Sequence, residues 1–202
     1  MTEIPQFVMR KHMDQTALSS DRHHTILDAA FHAFATYGFR RTSMDDIARS
    51  SGLSRTALYL YYRNKEDIFR TLTARHFETS VSDMSLALAK PNQRAETTLH
   101  AAFLAKDGIV MDVVLGTPHG DELLDASFSI AADLVAKGEA RMTAVLTAWL
   151  AGREIPSGLG TAQEIAQTTV AALKGLKHSA QSLGEYRSGQ AVLARVIGRA
   201  LG

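Results

Sequence analysis

Polar and basic side chains cluster just after Ser54, and their types suit contacts with a nucleic-acid duplex. The planar guanidinium of Arg55 can donate two hydrogen bonds to O6 and N7 of guanine, and a phosphate contact is the alternative. Thr56 and Ala57 can meet a thymine methyl group or a base edge. Hydroxyl and ammonium donors that suit phosphate oxygens come from Thr42, Ser43, Tyr59, Tyr61 and Lys65. These eight residues are candidate DNA contacts.

A helix of about two turns is predicted before that cluster. Thr42 or Ser43 can cap it by accepting a backbone N–H bond, and Asp45 and Asp46 in its first turn suit the positive end of the helix dipole. The inward stripe, at i, i+3, i+4 and i+7, consists of Met44, Ile47, Ala48 and Ser51. Gly52 ends the helix.

A second short helix is predicted after Gly52, with Ser54 as its N-cap. Leu58 and Tyr62, at i and i+4, are its inward positions, so Arg55 and Tyr59 lie on the outer face. Two short helices joined by a glycine turn indicate a helix-turn-helix, about Ser43 to Tyr62, whose second helix enters the major groove of DNA. Residues 38–65 contain six basic and two acidic residues, a net charge of +4, against +1 for the whole chain. Such a local positive charge favours phosphate.

Residues 22–69 resemble the DNA-binding domain of the tetracycline-repressor (TetR) family of transcriptional regulators. The most specific match is SRTALYLYYRNKEDIF, residues 54–69. Further matching residues are Ile26, Ala29, Ala30, Phe34, Gly38, Thr42, Ile47, Ala48 and Gly52. The family usually has phenylalanine where this chain has Tyr62, whose hydroxyl needs a partner. The resemblance implies an all-α fold, with an N-terminal three-helix, homeodomain-like helix-turn-helix domain and a C-terminal helical domain for effector binding and dimerisation.

Three segments are expected: a flexible arm over residues 1–20, the DNA-binding domain over 21–66, and the effector and dimerisation domain over 67–202. Arg10 and Lys11 belong either to a disordered tail or to an arm that follows DNA. The first helix should open at Ser20 or Asp21. Later helices are predicted from Lys65 to about Ala89 and over 94–106, 108–115, 121–152, 162–182 and 187–201.

The last two predicted helices carry apolar faces. Their candidate dimer contacts are Ile165, Thr169, Ala172, Leu176, Val192, Val196 and Ile197. Periodicity by itself favours packing within the subunit, whereas the family resemblance implies pairing of these helices into a four-helix bundle. A two-fold homodimer would present its two recognition helices to the half-sites of an approximate palindrome in operator DNA.

An effector site is implied by the resemblance, and residues 90–160 are expected to hold it. Candidate lining residues are apolar and adaptable: Phe77, Met84, Phe103, Met111, Phe128, Met142 and Trp149. The same residues at the same spacing also fit an ordinary hydrophobic core. No polar group in the sequence identifies the effector.

Several classes of protein are disfavoured by the sequence. It contains no cysteine, which excludes disulfides, thiolate zinc sites and cysteine nucleophiles. The eight histidines lack HExxH spacing, and His119 with Asp121 and Glu122 fits a solvated loop as well as a metal site. No apolar run is long enough to span a bilayer and no signal peptide is evident, so we expect a cytoplasmic protein. From the residue patterns above we also expect no cofactor, metal or catalytic residues.

Two functions are consistent with these patterns. We predict a homodimeric transcriptional regulator, a repressor that a small-molecule effector releases from DNA. The alternative is a helical small-molecule-binding or interaction protein in which the helix-turn-helix serves only as packing.

Overall fold

The computed structural model describes residues 6–202, with side chains described from residue 21 onwards. Ten helices are found there: α1 Gln6–Tyr37, α2 Met44–Ser50, α3 Arg55–Tyr59, α4 Lys65–Leu88, α5 Ala95–Ala105, α6 Val110–Gly116, α7 Gly120–Ile130, α8 Ala132–Ala151, α9 Ala162–Ser179 and α10 Leu183–Ala200. These residues form no strand, so the predicted all-α class is confirmed. Among them, no helix is both long and apolar enough to cross a membrane.

The helix-turn-helix forms as predicted because its local signals agree. Ser43 caps α2 in a reciprocal arrangement with Asp46, Ser54 accepts from the N–H of Ala57, and Asn64 accepts from the N–H of Asp67. The inward side chains that hold α1 to α4 together are fully or almost fully buried: Ile26, Phe34, Met44, Ile47, Ala48, Leu58, Tyr62 and Ile68. This core fixes the orientation of α3.

The start of α1 differs from the prediction. The helix begins at Gln6 rather than at Ser20 or Asp21. Residues 6–19 contain neither glycine nor proline, so the sequence holds no strong terminator within them. The expected arm and its contacts through Arg10 and Lys11 stay predictions, because residues 1–5 and the side chains of residues 6–20 lie outside the described part. The domain boundaries are also still predictions.

The long helix α4 is confirmed, and it packs against helices of both halves of the molecule. Its Phe77 lies directly against Gly138 of α8: a Cβ at that glycine would fall 2.0 Å from Cδ1 of the ring. Only glycine therefore permits this close approach. A second core lies between α4, α5, α8, α9 and α10 and contains Met84, Leu99, Phe103, Leu146 and Leu150 among its buried residues.

The prediction of one helix over 121–152 is wrong, since α7 and α8 are separated at Ala131. The hydroxyls of Ser127 and Ser129 bond back to carbonyls one turn earlier, which weakens a helix at that point. Arg70 of α4 completes the break: one guanidinium nitrogen donates to the carbonyl of Ile130 at 2.8 Å, and the group binds Asp133 with two 2.7 Å bonds. A tertiary contact thus occupies a carbonyl at the helix end.

The start of α10 also differs from the prediction, being Leu183 rather than residue 187. Ser182 caps the helix by accepting from the N–H of Glu185 at 3.2 Å. The Ser-x-x-Glu pattern at 182–185 was the signal that sequence reasoning overlooked.

Candidate nucleic-acid interface and ligand cavity

The outer face of α3 is open to solvent in this subunit. Arg55 and Thr56 are exposed, Tyr59 is 42% exposed and Ala57 is half-buried. Arg55 donates a 2.9 Å hydrogen bond to Asp45 of α2 and lies 5.6 Å from the centre of the Tyr59 ring. Hydrogen bonding to Tyr59 and the charge of Asp45 raise the pKa of the Arg55 guanidinium, which keeps it cationic. A helix one and a half turns long thus presents a fixed positive edge.

Four more exposed arginines belong to the same domain. Arg40 and Arg41 lie in the turn before α2, Arg49 near the end of α2, and Arg63 before α4, all exposed. Sequence reasoning counted their charge but did not assign them to the site. Their exposure extends the positive surface on the same domain, as nonspecific phosphate binding requires.

Lys65 does not fit its predicted role as a phosphate contact. Its ammonium donates to three main-chain carbonyls, those of Phe39 at 2.8 Å, Arg40 at 3.0 Å and Thr42 at 3.0 Å. It also lies 4.7 Å from the centre of the Phe39 ring. Because an ammonium has three N–H donors, all of them are used within the subunit. Lys65 therefore holds the turn between α1 and α2 in place.

Thr42 is likewise a structural residue. It is 2% exposed, and its hydroxyl lies 2.8 Å from the carbonyl oxygen of Gly38 and 3.2 Å from that of Ala33. The predicted phosphate contact does not fit this burial. Ser43 is exposed, although its hydroxyl bonds to Asp46 at 2.6 Å in the cap of α2.

The expected partner of the Tyr62 hydroxyl is His23. The hydroxyl lies 3.0 Å from Nδ1 of that residue, which belongs to α1. His23 also meets the half-buried Tyr61 edge-on, with ring centres 5.1 Å apart. His23 is half-buried and holds the end of the recognition unit against α1. The hydroxyl of Tyr61 remains a candidate phosphate contact.

Glu122 of α7 connects the C-terminal half to the turn before α2. Its carboxylate accepts from the main-chain N–H of Arg40 at 2.6 Å and lies 3.8 Å from Nδ1 of His119. Gly38 makes room for this contact: its φ is +84°, and a Cβ there would lie 2.4 Å from the carboxylate. The alternative reading of these acidic and histidine residues as a metal site gains no support, since no metal-binding group of three such side chains occurs in residues 21–202.

A cavity of about 430 Å³ lies between α1, α4 and the helices α6 to α9. Five of the predicted residues line it, namely Phe77, Met84, Met111, Phe128 and Met142. Phe103 and Trp149 do not. Phe103 is fully buried in the second core, and Trp149 lies under the guanidinium of Arg153 at 3.7 Å from the ring centre. Helical periodicity does not distinguish core from cavity, so the sequence could not separate these two residues from the other five.

Charged groups at the cavity wall were missed by sequence reasoning. Three lysines, Lys106, Lys174 and Lys177, lie there with Asp107 and Glu139. His76 belongs to the same wall, and burial, followed by the charges of Lys177 and Lys106, lowers its pKa to about 4. These residues come from α4, α8, α9 and the end of α5, so no local spacing in the sequence connects them.

The outer faces of α9 and α10 contain most of the predicted dimer contacts. Val192 is 50% exposed and Val196 is 62% exposed, which is high for valine. Half-buried positions are Ile165, Ala172, Leu176 and Ile197. Thr169 does not fit an interface: it is 1% exposed and its hydroxyl donates to the carbonyl of Ile165 at 2.6 Å. It packs inside the subunit.

Comparison with known proteins agrees with both halves of this description. Residues 26–72 match the sequence model of bacterial regulatory proteins of the tetR family. The fold over 89% of the chain matches 98% of the regulatory protein TetR from Rhodobacter sphaeroides, with a TM-score of 0.67 and 14% identity. Residues 26–72 thus form a TetR-family DNA-binding domain.

Other solved structures share the fold at low identity. The repressor SmeT of the Stenotrophomonas maltophilia multidrug efflux pump SmeDEF matches with a TM-score of 0.62 and 17% identity, over 86% of this chain and 87% of its own. Curated relatives match mainly through the DNA-binding domain. The biofilm operon negative regulator IcaR of Staphylococcus epidermidis is 40% identical over 45 residues, which are 22% of this chain and 24% of IcaR.

A longer match is the fatty acid metabolism regulator protein of Bacillus subtilis. It is 31% identical over 87 residues, or 41% of this chain and 45% of that protein. The chain thus spans less than half the length of the curated relatives it matches. Sequence similarity concentrates in the helix-turn-helix, while the C-terminal half shares the TetR-family fold.

Proposed function

We propose that the protein is a homodimeric transcriptional regulator that binds an approximately palindromic operator through α2 and α3 and is released by a small-molecule effector. The observation that carries this proposal is the exposed Arg55 and Tyr59 edge of α3 within a TetR-family DNA-binding domain. Repression follows most directly, because a protein on an operator can exclude polymerase without further machinery. Such a protein acts in the cytoplasm, where the operator is.

DNA contacts are assigned by exposure and chemistry. Arg55 reads guanine through its planar fork, while Thr56 and Ala57 meet neighbouring base edges or a thymine methyl group. Ser43, Tyr59 and Tyr61 contact phosphates. The surrounding cations Arg40, Arg41, Arg49 and Arg63 add charge that attracts any duplex. Lys65 and Thr42 position this surface without touching DNA.

Dimerisation is proposed through the outer faces of α9 and α10. Gly184, Ser188, Val192 and Val196 recur every four residues on α10 and are all exposed, forming a stripe of small and apolar groups. Such a stripe permits close approach of a second helix, and a two-fold axis brings it against its own copy. The same axis would orient the two α3 helices toward successive half-sites.

The effector switch is proposed to run through α7. Leu123, Leu124 and Phe128 of this helix line the cavity, and Glu122 of the same helix binds the N–H of Arg40 beside α2. A ligand that displaces α7 would therefore move or release the turn that orients the DNA-binding face. The resulting change in DNA affinity is set by the difference between the ligand's affinities for the two arrangements of this turn.

The test is selection of binding sites from random duplex DNA with the purified protein, followed by gel-shift titration on the selected sequence and on the DNA upstream of its own gene. We expect a symmetric site bound with strong salt dependence. Arg55→Ala should lose sequence preference. Arg141→Ala is the matched control, since Arg141 is exposed on α8 and forms no ion pair within the described residues. Failure to enrich any sequence would refute the proposal.

A further inference from the structure

The apolar part of the cavity suits a hydrocarbon chain. Phe31, Phe77, Met84, Phe128 and Met142 are among the residues that line it. Its volume of about 430 Å³ lies within the range of sites for drug-sized ligands. Methionine and aromatic walls adapt to flexible molecules more readily than branched aliphatic walls. The volume and the apolar lining thus favour a flexible apolar molecule over a small polar one.

The part of the cavity wall around Lys177 has an excess of one positive charge. Around Lys177 the nearby charged groups are Lys106, Lys174, Asp107 and Glu139. Asp107 accepts from Lys106 at 2.5 Å and from Gln190 at 2.7 Å. Glu139 accepts from Lys174, with its two oxygens 3.1 and 3.2 Å from the ammonium. Both carboxylates are therefore already paired.

Of the three lysines, Lys177 is the one without a carboxylate partner in the described residues. Within residues 21–202 it forms no hydrogen bond and no ion pair, although it lines the cavity. Burial, followed by the charge of Lys106, lowers the pKa of its ammonium to about 8. The group is then still cationic at pH 7, and withdrawing an unpaired cation from water, even into a half-buried position, is destabilising. His76 on the same wall is neutral at pH 7 because its pKa is lowered to about 4.

We propose that the cavity binds an amphipathic ligand with an anionic head group, which pairs with Lys177 while the apolar chain extends between Phe77 and Phe128. This proposal rests on the proposed function only in treating the ligand as the effector. The binding of the ligand in the cavity does not depend on that function. The anion supplies the partner that no carboxylate of the described residues provides to Lys177. His76 can donate or accept one additional hydrogen bond to the head group.

Charge preference tests this assignment by isothermal titration calorimetry of the full-length protein with twelve-carbon probes. Dodecanoate should bind about tenfold or more tightly than dodecanol, as a charge-assisted hydrogen bond in a buried site predicts. Dodecyl phosphate distinguishes a phosphate head group from a carboxylate. Dodecyltrimethylammonium should bind more weakly than dodecanol.

Lys177→Met keeps the length of the side chain and removes its charge. In this variant dodecanoate should lose its advantage, while dodecanol should bind at least as well as to the wild type. Lys137→Met is the matched control, because Lys137 is exposed on α8 and forms no ion pair in the described range. Pairing should also raise the lysine pKa, so dodecanoate binding at pH 8 should take up protons, measurable in buffers of different ionisation enthalpy.

Three results would overturn the assignment: equal binding of dodecanoate and dodecanol, a preserved carboxylate preference in Lys177→Met, or no binding by any probe. Preference for the ammonium probe would also overturn it. The charge preference would then be set by Asp83, which lines the cavity and has no ion pair in the described residues. A separate gel shift distinguishes this failure from that of the proposed function. Dodecanoate that binds without releasing DNA leaves the ligand class intact and refutes its role as effector.

Discussion

The carboxylate of Glu122 accepts a 2.6 Å hydrogen bond from the main-chain N–H of Arg40. One residue belongs to α7 and the other to the turn that precedes α2, 82 positions apart in the chain. Since α7 also lines the cavity, a single helix touches both the cavity and the turn before α2.

Removing that bond should loosen the turn. In Glu122→Ala, the Arg40 amide loses a charge-assisted partner, so its hydrogen exchange should become roughly tenfold faster. Nuclear magnetic resonance or mass spectrometry of residues 38–43 measures this change. Glu154→Ala is the control, because Glu154 is exposed and makes no hydrogen bond in the described part of the chain. Unchanged exchange at Arg40 would show that the contact does not hold the turn.

Lys65→Ala should destabilise the fold. The substitution leaves three carbonyls without their ammonium partner, which costs about 2 kcal/mol of unfolding free energy and lowers Tm by about 4–8 °C. Urea unfolding and calorimetry give both values. Lys90→Ala, at an exposed lysine beyond the end of α4, should leave them unchanged. If Lys65→Ala instead keeps its Tm and reduces the salt dependence of DNA binding, Lys65 contacts phosphate after all.

Arg55→Lys tests base reading. Lysine keeps the charge and loses the planar fork, so affinity for the selected operator should fall about tenfold while affinity for random DNA changes little. Competition gel shifts at fixed salt measure the two affinities. Arg49→Lys is the matched control for an exposed arginine outside α3. Equal losses on both kinds of DNA would assign Arg55 to phosphate.

His76 should make stability depend on pH. The unfolded chain binds a proton near pH 6.5 and the folded protein only near pH 4. The unfolded state thus holds more protons in this interval, and stability is lost as pH falls from 6.5 to 4, by at most about 3 kcal/mol.

Urea unfolding of the wild type and His76→Gln across this range tests the prediction. The difference in their unfolding free energies should be constant above pH 6.5 and should shift in favour of the variant below it. Ser80→Ala is the control, because it removes the 3.5 Å neighbour of Nδ1 without removing the titrating group. Parallel curves for the wild type and His76→Gln would contradict the prediction.

Val196→Glu should separate the proposed dimer. At a two-fold interface the substitution places two like charges in an apolar contact, so the dimer dissociation constant should rise at least about tenfold. Sedimentation equilibrium measures it. Leu86→Glu changes a side chain of similar exposure on α4, 66% against 62%, and should not alter association. A dimer that survives Val196→Glu unchanged must use another face.

The DNA-binding half was predictable because its signals are local. Ser43, Ser54 and Asn64 lie at the starts of helices whose apolar stripes are short and regular, and all three form the expected caps. The role of Lys65 was not predictable. Its partners precede it by 23 to 26 residues, and only the tertiary fold brings their carbonyls to its ammonium.

The C-terminal half was predictable in its helices and less so in its breaks and its cavity. Arg70 contacts the carbonyl of Ile130 from 60 residues away, and no pattern near Ile130 announces it. The unpaired state of Lys177 depends on Asp107 and Glu139 having other partners, which a one-dimensional pattern does not record. Hydrophobic periodicity in the sequence identifies the buried face of a helix. It does not identify the residues of other helices that lie against that face.

If Arg55 reads bases as proposed, its ion pair with Asp45 has a consequence for how the protein searches a genome. In the free subunit the Arg55 guanidinium lies only 2.9 Å from the Asp45 carboxylate. Contact with DNA must replace this ion pair with a more favourable interaction, and a guanine edge in the right register provides one. At other sites Arg55 remains paired with Asp45, so the carboxylate competes with the DNA. This competition shortens the residence time of the protein at nonspecific sites.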